Sequence, residues 1–133
     1  MRRPWLLLPL LAACGPNEVR VTMNPDNNSG QAGFALLTQT GPKKLVVVIE
    51  TSAPDFSSEQ RAHIHVGTCG EIGEIRAGLT NLKALADKPG RFGSTTTVDG
   101  LGLDDLSTGE WAINVHDARD NAVYTSCGEI KVK

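Results

Sequence analysis

The sequence predicts an all-β fold, an antiparallel sandwich or barrel, and three observations lead there. Short apolar or alternating segments rich in Val, Ile and Thr recur along the chain. Turns containing Gly and Pro fall between nearly all of them. No stretch has the longer amphipathic periodicity that the helices of a mixed α/β fold require. Aromatic residues make up only 5% of the 133, so the core must rest on Val, Ile, Leu and Ala.

The chain opens on a leader. Met1-Arg2-Arg3 is a short basic region, and the apolar stretch from Trp5 to Leu11 is broken by Pro9. That stretch is far below the roughly 20 residues of a spanning helix, so residues 1–13 read as a cleaved signal peptide. Leu11-Ala12-Ala13-Cys14-Gly15 resembles the bacterial lipobox, which is cut just before its cysteine. The resemblance implies a lipid on mature Cys14 and a tether to a membrane of the cell envelope, facing the periplasm or the exterior. Several acyl chains on one residue hold more firmly than one. Gly15, where an Asp would retain the protein at the inner membrane, is similar to an outer-membrane sorting signal. Residues 14–30, rich in Pro, Asn and Gly, read as a lipidated linker. Within it Val19-Arg20-Val21-Thr22 reads as a first strand and Pro25 to Gly30 as a turn. The folded domain is then expected over 31–133.

The strands follow in order. Gly33 to Gln39 is apolar and runs into the turn Thr40-Gly41-Pro42-Lys43. Lys44 to Thr51 (KLVVVIET) is the strongest strand in the chain, β-branched with a polar end. Alternation continues in Ala62 to Gly67, Ser94 to Val98, Glu110 to His116 and Val123 to Lys133. Asn81 to Asp87 predicts one or two helical turns before Pro89. Glu71 and Glu74, close to glycines, read as surface loop. Trp111 reads as a core or barrel-end residue.

Charge and composition exclude some functions. The intact chain carries a net charge of −2; losing Arg2 and Arg3 leaves fifteen acids against eleven bases, or −4. There is no basic stripe with interleaved aromatics, so a nucleic-acid partner is not expected. Ser94 to Thr97 form a polar-faced strand without a nucleophile–base pairing, which leaves no case for a hydrolase.

The chemistry gathers at a few residues. His63, His65 and His116 are all the histidines of the chain, and Cys69 and Cys127 are its only cysteines after Cys14. Side chains alternate along a strand, so His63 and His65 point the same way. Three imidazoles suit copper or zinc better than magnesium or calcium. The plain alternative is three unrelated histidines satisfied by hydrogen bonds. In the oxidising compartment an exported protein meets, Cys69 and Cys127 can form a disulfide; the alternative is two separate buried thiols.

The order His-x-His, Cys, distant Val-His-acidic, then Cys-Gly-x-Ile resembles the copper/zinc superoxide dismutase family. The resemblance spans about residues 30–133, with close matches at 62–70 and 112–130. It implies a Greek-key β-barrel and copper held by His63, His65 and His116, with Asp120 at the family's offset supporting a ligand histidine from behind; Asp117 and Glu59 are the other local carboxylates able to accept an imidazole N–H. It also implies a Cys69–Cys127 disulfide. The departures are specific. No histidine lies between Cys69 and Asp99, so the bridging and remaining zinc ligands of that family are missing and no zinc site of its type can form. Tyr124 stands where the family has its substrate-guiding arginine; Arg119, Arg76, Arg61 and Lys83 are the cations left to replace it. The chain also resembles the related chordin-type domain, which shares His-x-His-x-Gly and Asn-Val-His with Ala62 to Gly67 and Asn114 to His116. Two functions follow as expectations. One is a copper-only, superoxide dismutase-like enzyme of the envelope, with superoxide as substrate. The other is a non-catalytic copper-binding or interaction module. The catalytic residues are not specified by either.

Overall fold

A computed structural model describes residues 15–133; the signal peptide expected over 1–13 and the lipidation expected at Cys14 lie outside the described residues. The described chain forms eight strands and one short helix. The strands are β1 (Glu18–Pro25), β2 (Gly33–Gly41), β3 (Lys44–Ser52), β4 (Gln60–Thr68), β5 (Glu71–Ala84), β6 (Arg91–Asp99), β7 (Trp111–His116) and β8 (Tyr124–Glu129), and α1 is Leu103–Leu106. They close into an antiparallel barrel in the order β1-β2-β3-β6-β5-β4-β7-β8. The expected all-β antiparallel class is the one observed. Strand β6 returns to lie beside β3, and β7 crosses to lie beside β4, so two connections have the Greek-key form.

Alternation along each strand decides what the barrel holds. Leu45, Val47 and Ile49 of β3, Ala62 and Ile64 of β4, Ile113 and Val115 of β7, and Val19, Val21 and Met23 of β1 fill the interior. Their neighbours in sequence must face outward. On β4 the outward row is therefore Arg61, His63 and His65. The two ends of the barrel are closed differently. The connection between β6 and β7 inserts Leu101, Leu103 and Leu106 at one end. Polar side chains that are also buried, among them Gln31, Thr51, Gln60 and Thr125, occupy the other.

The structure differs from the sequence expectation at three elements. β1, expected as the short strand Val19–Thr22 within a linker over 14–30, extends from Glu18 to Pro25, pairing with β2 over Glu18–Met23 and with β8 at Asn24 and Pro25. The barrel therefore begins at residue 18, where β1 covers the edges of β2 and β8. Secondly, Asn81–Asp87 forms no helix: it is the end of β5 and the turn that follows. Glu71 and Glu74 belong to the same 14-residue strand. Only Leu79 and Leu82 of β5 are buried, so the strand lacks the alternating apolar signal that marks the others. Thirdly, α1 is a four-residue helix too short to leave a periodic pattern.

Removing β1 should therefore open the barrel rather than trim a tether. A chain beginning at residue 31 is expected to lose cooperative urea unfolding, because two strand edges are left unpaired, whereas one beginning at residue 16 keeps it. A sharp two-state transition for the shorter chain would show that β1 is dispensable.

Candidate metal centre

The three histidines converge on the outer face of the barrel. Strand β4 pairs with β7 in the register Ala62↔Val115, His63↔Asn114, Ile64↔Ile113 and His65↔Ala112. His116 is thus the diagonal neighbour of His63, within reach of an aromatic side chain across the pair. One nitrogen from each of His63, His65 and His116 lies within 4.8 Å of the others. His63 Nδ1 and His116 Nε2 are 2.9 Å apart. The rings of His63 and His65, and of His63 and His116, meet edge to face.

The backs of two rings are fixed by backbone carbonyls. His65 Nδ1 lies 2.9 Å from Gly73 O, and His116 Nδ1 lies 2.6 Å from Asn121 O. A carbonyl only accepts, so both rings carry their proton on Nδ1. Their Nε2 lone pairs then face the cluster, and that of His116 accepts from the Nδ1–H of His63 in the tautomer that pairs them. His65 Nε2 is buried and has no hydrogen-bond partner among the described residues. An orphaned buried acceptor is costly, and a metal ion at the meeting point of the three rings would satisfy it. The donor set fits: His63 through Nδ1, and His65 and His116 through Nε2.

Local backbone irregularity makes room for this. The β4–β5 ladder shifts register between Ile64 and His65 and again between His65 and Gly67. Gly67 has φ of 109°, and a Cβ there would run into Glu71 O. Only glycine suits both demands. The irregularity brings Gly73 O within reach of His65. Immediately beyond, the Cys69–Cys127 disulfide clamps the β4–β5 turn to β8.

The carboxylates expected behind the histidines do not take that place. Asp117 pairs with Arg119, whose Nη2 is 2.9 Å from Oδ2 and whose backbone N–H also donates to Asp117. The hydrogen bond from Arg119 is the main cause that lowers the Asp117 carboxyl to about 2. Asp120 accepts from the backbone N–H of Ala122 through Oδ1 and from that of Val123 through its carbonyl. It shapes the 117–123 loop that presents Asn121 O to His116. Main-chain carbonyls leave no side-chain signature, so Asn121 and Gly73 could not be found from the sequence.

Tyr124, at the position expected to guide an anion, stacks edge to face on His116 with ring centroids 5.0 Å apart. Arg119 is committed to Asp117, and Arg76 donates to Gly100 O. Arg61 shares the outer row of β4 with the histidines, and its charge acts on both His63 and His116. Asn114, opposite His63 on one side and Cys127 on the other, is fully buried with no partner for either polar side-chain atom among the described residues. Its amide is the right kind of group to hold a buried water beside the cluster.

The chain matches the CHRD domain over residues 12–122. No copper/zinc superoxide dismutase family matches it. No curated protein matches the chain.

Two expected outcomes follow. The disulfide closes a 58-residue interval, so replacing both cysteines with Ser should cost about 4 kcal/mol in the chain-entropy picture. Urea unfolding of Cys69→Ser/Cys127→Ser measures it, and a loss below about 1 kcal/mol would contradict a constraint of that size. The second outcome concerns pH. Desolvation is the first cause holding His63 and His116 below the ordinary value of 6.5 in the folded protein. The unfolded chain then binds more protons as pH falls through about 6.5. Stability of metal-stripped protein should accordingly be flat above that pH and decline below it. A His63→Gln/His116→Gln variant should show a shallower decline; an equal slope would remove these rings as its source.

Proposed function

The chain belongs to the CHRD domain family, and from that premise we propose that it is a metal-binding module whose ligands are His63, His65 and His116, with copper as the ion. The buried, unpartnered Nε2 of His65 carries the reading, since its ring belongs to a cluster in which each histidine brings one nitrogen within 4.8 Å of the others. Three neutral imidazoles without a thiolate or carboxylate suit copper. Burial, which lowers the affinity of His63 and His116 for protons, keeps those rings in the form that binds metal at neutral pH.

When bound, copper would supply a single-electron redox centre. This chain's residues hold that centre: Gly73 O and Asn121 O fix two tautomers, and the disulfide clamps the turn after His65. Superoxide dismutation demands in addition a cation that draws the anion in. Tyr124 occupies the place of such a cation, Arg119 and Arg76 are engaged elsewhere, and Arg61, whose charge acts on His63 and His116, is the cation left beside the cluster. The binding module is therefore the better supported function, and dismutation the narrower one. The lipobox-like Leu11 to Cys14 favours a location on the cell envelope, tethered by lipid, with the metal ion as the partner and no nucleic acid.

Metal analysis and calorimetric titration of a chain beginning at residue 16 test the proposal. One equivalent of copper is expected, with loss of at least about 100-fold in affinity for His63→Ala/His116→Ala, about 2.7 kcal/mol. Unchanged binding in that variant would sink the site. Superoxide turnover of the loaded protein above that of free copper ions would establish the enzymatic reading; none would leave the module.

A further inference from the structure

The polar plug at one end of the barrel reaches the metal centre through a single contact. Gln31 and Gln60, both fully buried, form a reciprocal amide pair. Gln31 Nε2 donates to Gln60 Oε1 at 2.8 Å, and Gln60 Nε2 donates to Gln31 Oε1 at 2.9 Å. The other N–H of Gln31 goes to Thr51 Oγ1. The other N–H of Gln60 is shared between the main-chain carbonyl of His116 at 3.2 Å and Thr125 Oγ1 at 3.1 Å. The Thr125 hydroxyl donates in turn to Val115 O. Each amide hydrogen and oxygen of the pair thus has a partner, which is what makes such a network rigid.

The backbone explains why a side chain is needed there. The β4–β7 ladder ends at Ala62↔Val115, one residue before His116. On the other side, the β7–β8 ladder shifts register between Val115 and His116. His116 therefore sits where regular pairing on both flanks gives out, and there the amide of Gln60 donates to its carbonyl. Gln60 belongs to the strand that carries His63 and His65. Its amide ties the third histidine to the strand of the first two.

We propose that Gln60, locked by Gln31, is a positioning residue that fixes the backbone of His116 and so sets the third imidazole against the other two. The inference rests on the reading of the three histidines as one metal centre. Front and back of the residue are then held by different parts of the chain. The 117–123 loop holds the ring through Asn121 O, and the barrel plug holds the main chain. His65 is anchored separately through Gly73 O, which provides an internal control.

The test uses Gln60→Met, Gln31→Met and Thr51→Val. In metal-free protein the Nδ1–H protons of His116 and His65, each bonded to a carbonyl, are read by NMR. Gln60→Met is expected to shift or broaden the His116 signal and leave that of His65 in place. Its copper affinity should fall by about 10-fold or more, the range for groups that orient a ligand. Gln31→Met, which frees the oxygen of Gln60, should move the same signal less. Thr51→Val removes a polar partner from the far side of the plug and should move neither signal. Should Gln60→Met fail to fold, the contrast between Gln31→Met and Thr51→Val carries the test. A His116 signal unchanged in Gln60→Met, or shifted equally with that of His65, would overturn the proposal. So would Gln31→Met and Thr51→Val behaving alike. A wild type that binds no copper would overturn the metal reading instead, because the metal-free signals still decide the role of Gln60.

Discussion

The pairing of β4 with β7 is the constraint on which the rest of this structure depends. It joins two strands separated by a long stretch of chain, and through it the barrel closes. On the inner face it sets Ala62 against Val115 and Ile64 against Ile113, at the centre of the core. On the outer face the same register leaves His63 and His65 beside Asn114 and Ala112, with His116 one step beyond. A slip of one residue would exchange the two faces. Isoleucines would then reach solvent and imidazoles the core. Burial of apolar side chains therefore fixes where the three histidines gather.

Around that ladder, irregular backbone does the finer placement. Regular pairing leaves no room to turn a ring toward a carbonyl, so the site sits where pairing is broken. The shifts around His65, the positive φ of Gly67 and the shift at His116 bring Gly73 O and Asn121 O behind two imidazoles. The disulfide and the glutamine pair hold the two irregular regions from opposite sides. The result is a pair of Nε2 lone pairs aimed at a common point.

Much of the fold was legible because burial on one face leaves a period of two. KLVVVIET shows it, and β3 is that segment extended by Ser52. β5 lacked the signal because only Leu79 and Leu82 of its 14 residues are buried. β1 was read as a short strand within a linker, since four residues of alternation do not reveal that both edges are paired. At the site, the histidines and cysteines could be named because the chain has so few of them. Their supports could not. Asp117 and Asp120 were the reasonable candidates by spacing, but Asp117 is held by Arg119 and the histidines by carbonyls that every residue possesses.

By itself, then, the sequence determined the all-β class, the shared face of His63 and His65 and the residues able to bind a metal. Those properties follow from local alternation and from side-chain chemistry. Tertiary structure alone decided that His116 reaches His63, which ring nitrogens stay free, and that Gln60 supplies the donor for His116 O. Each of these depends on register between distant strands and on where that register breaks. No local pattern of residues encodes either.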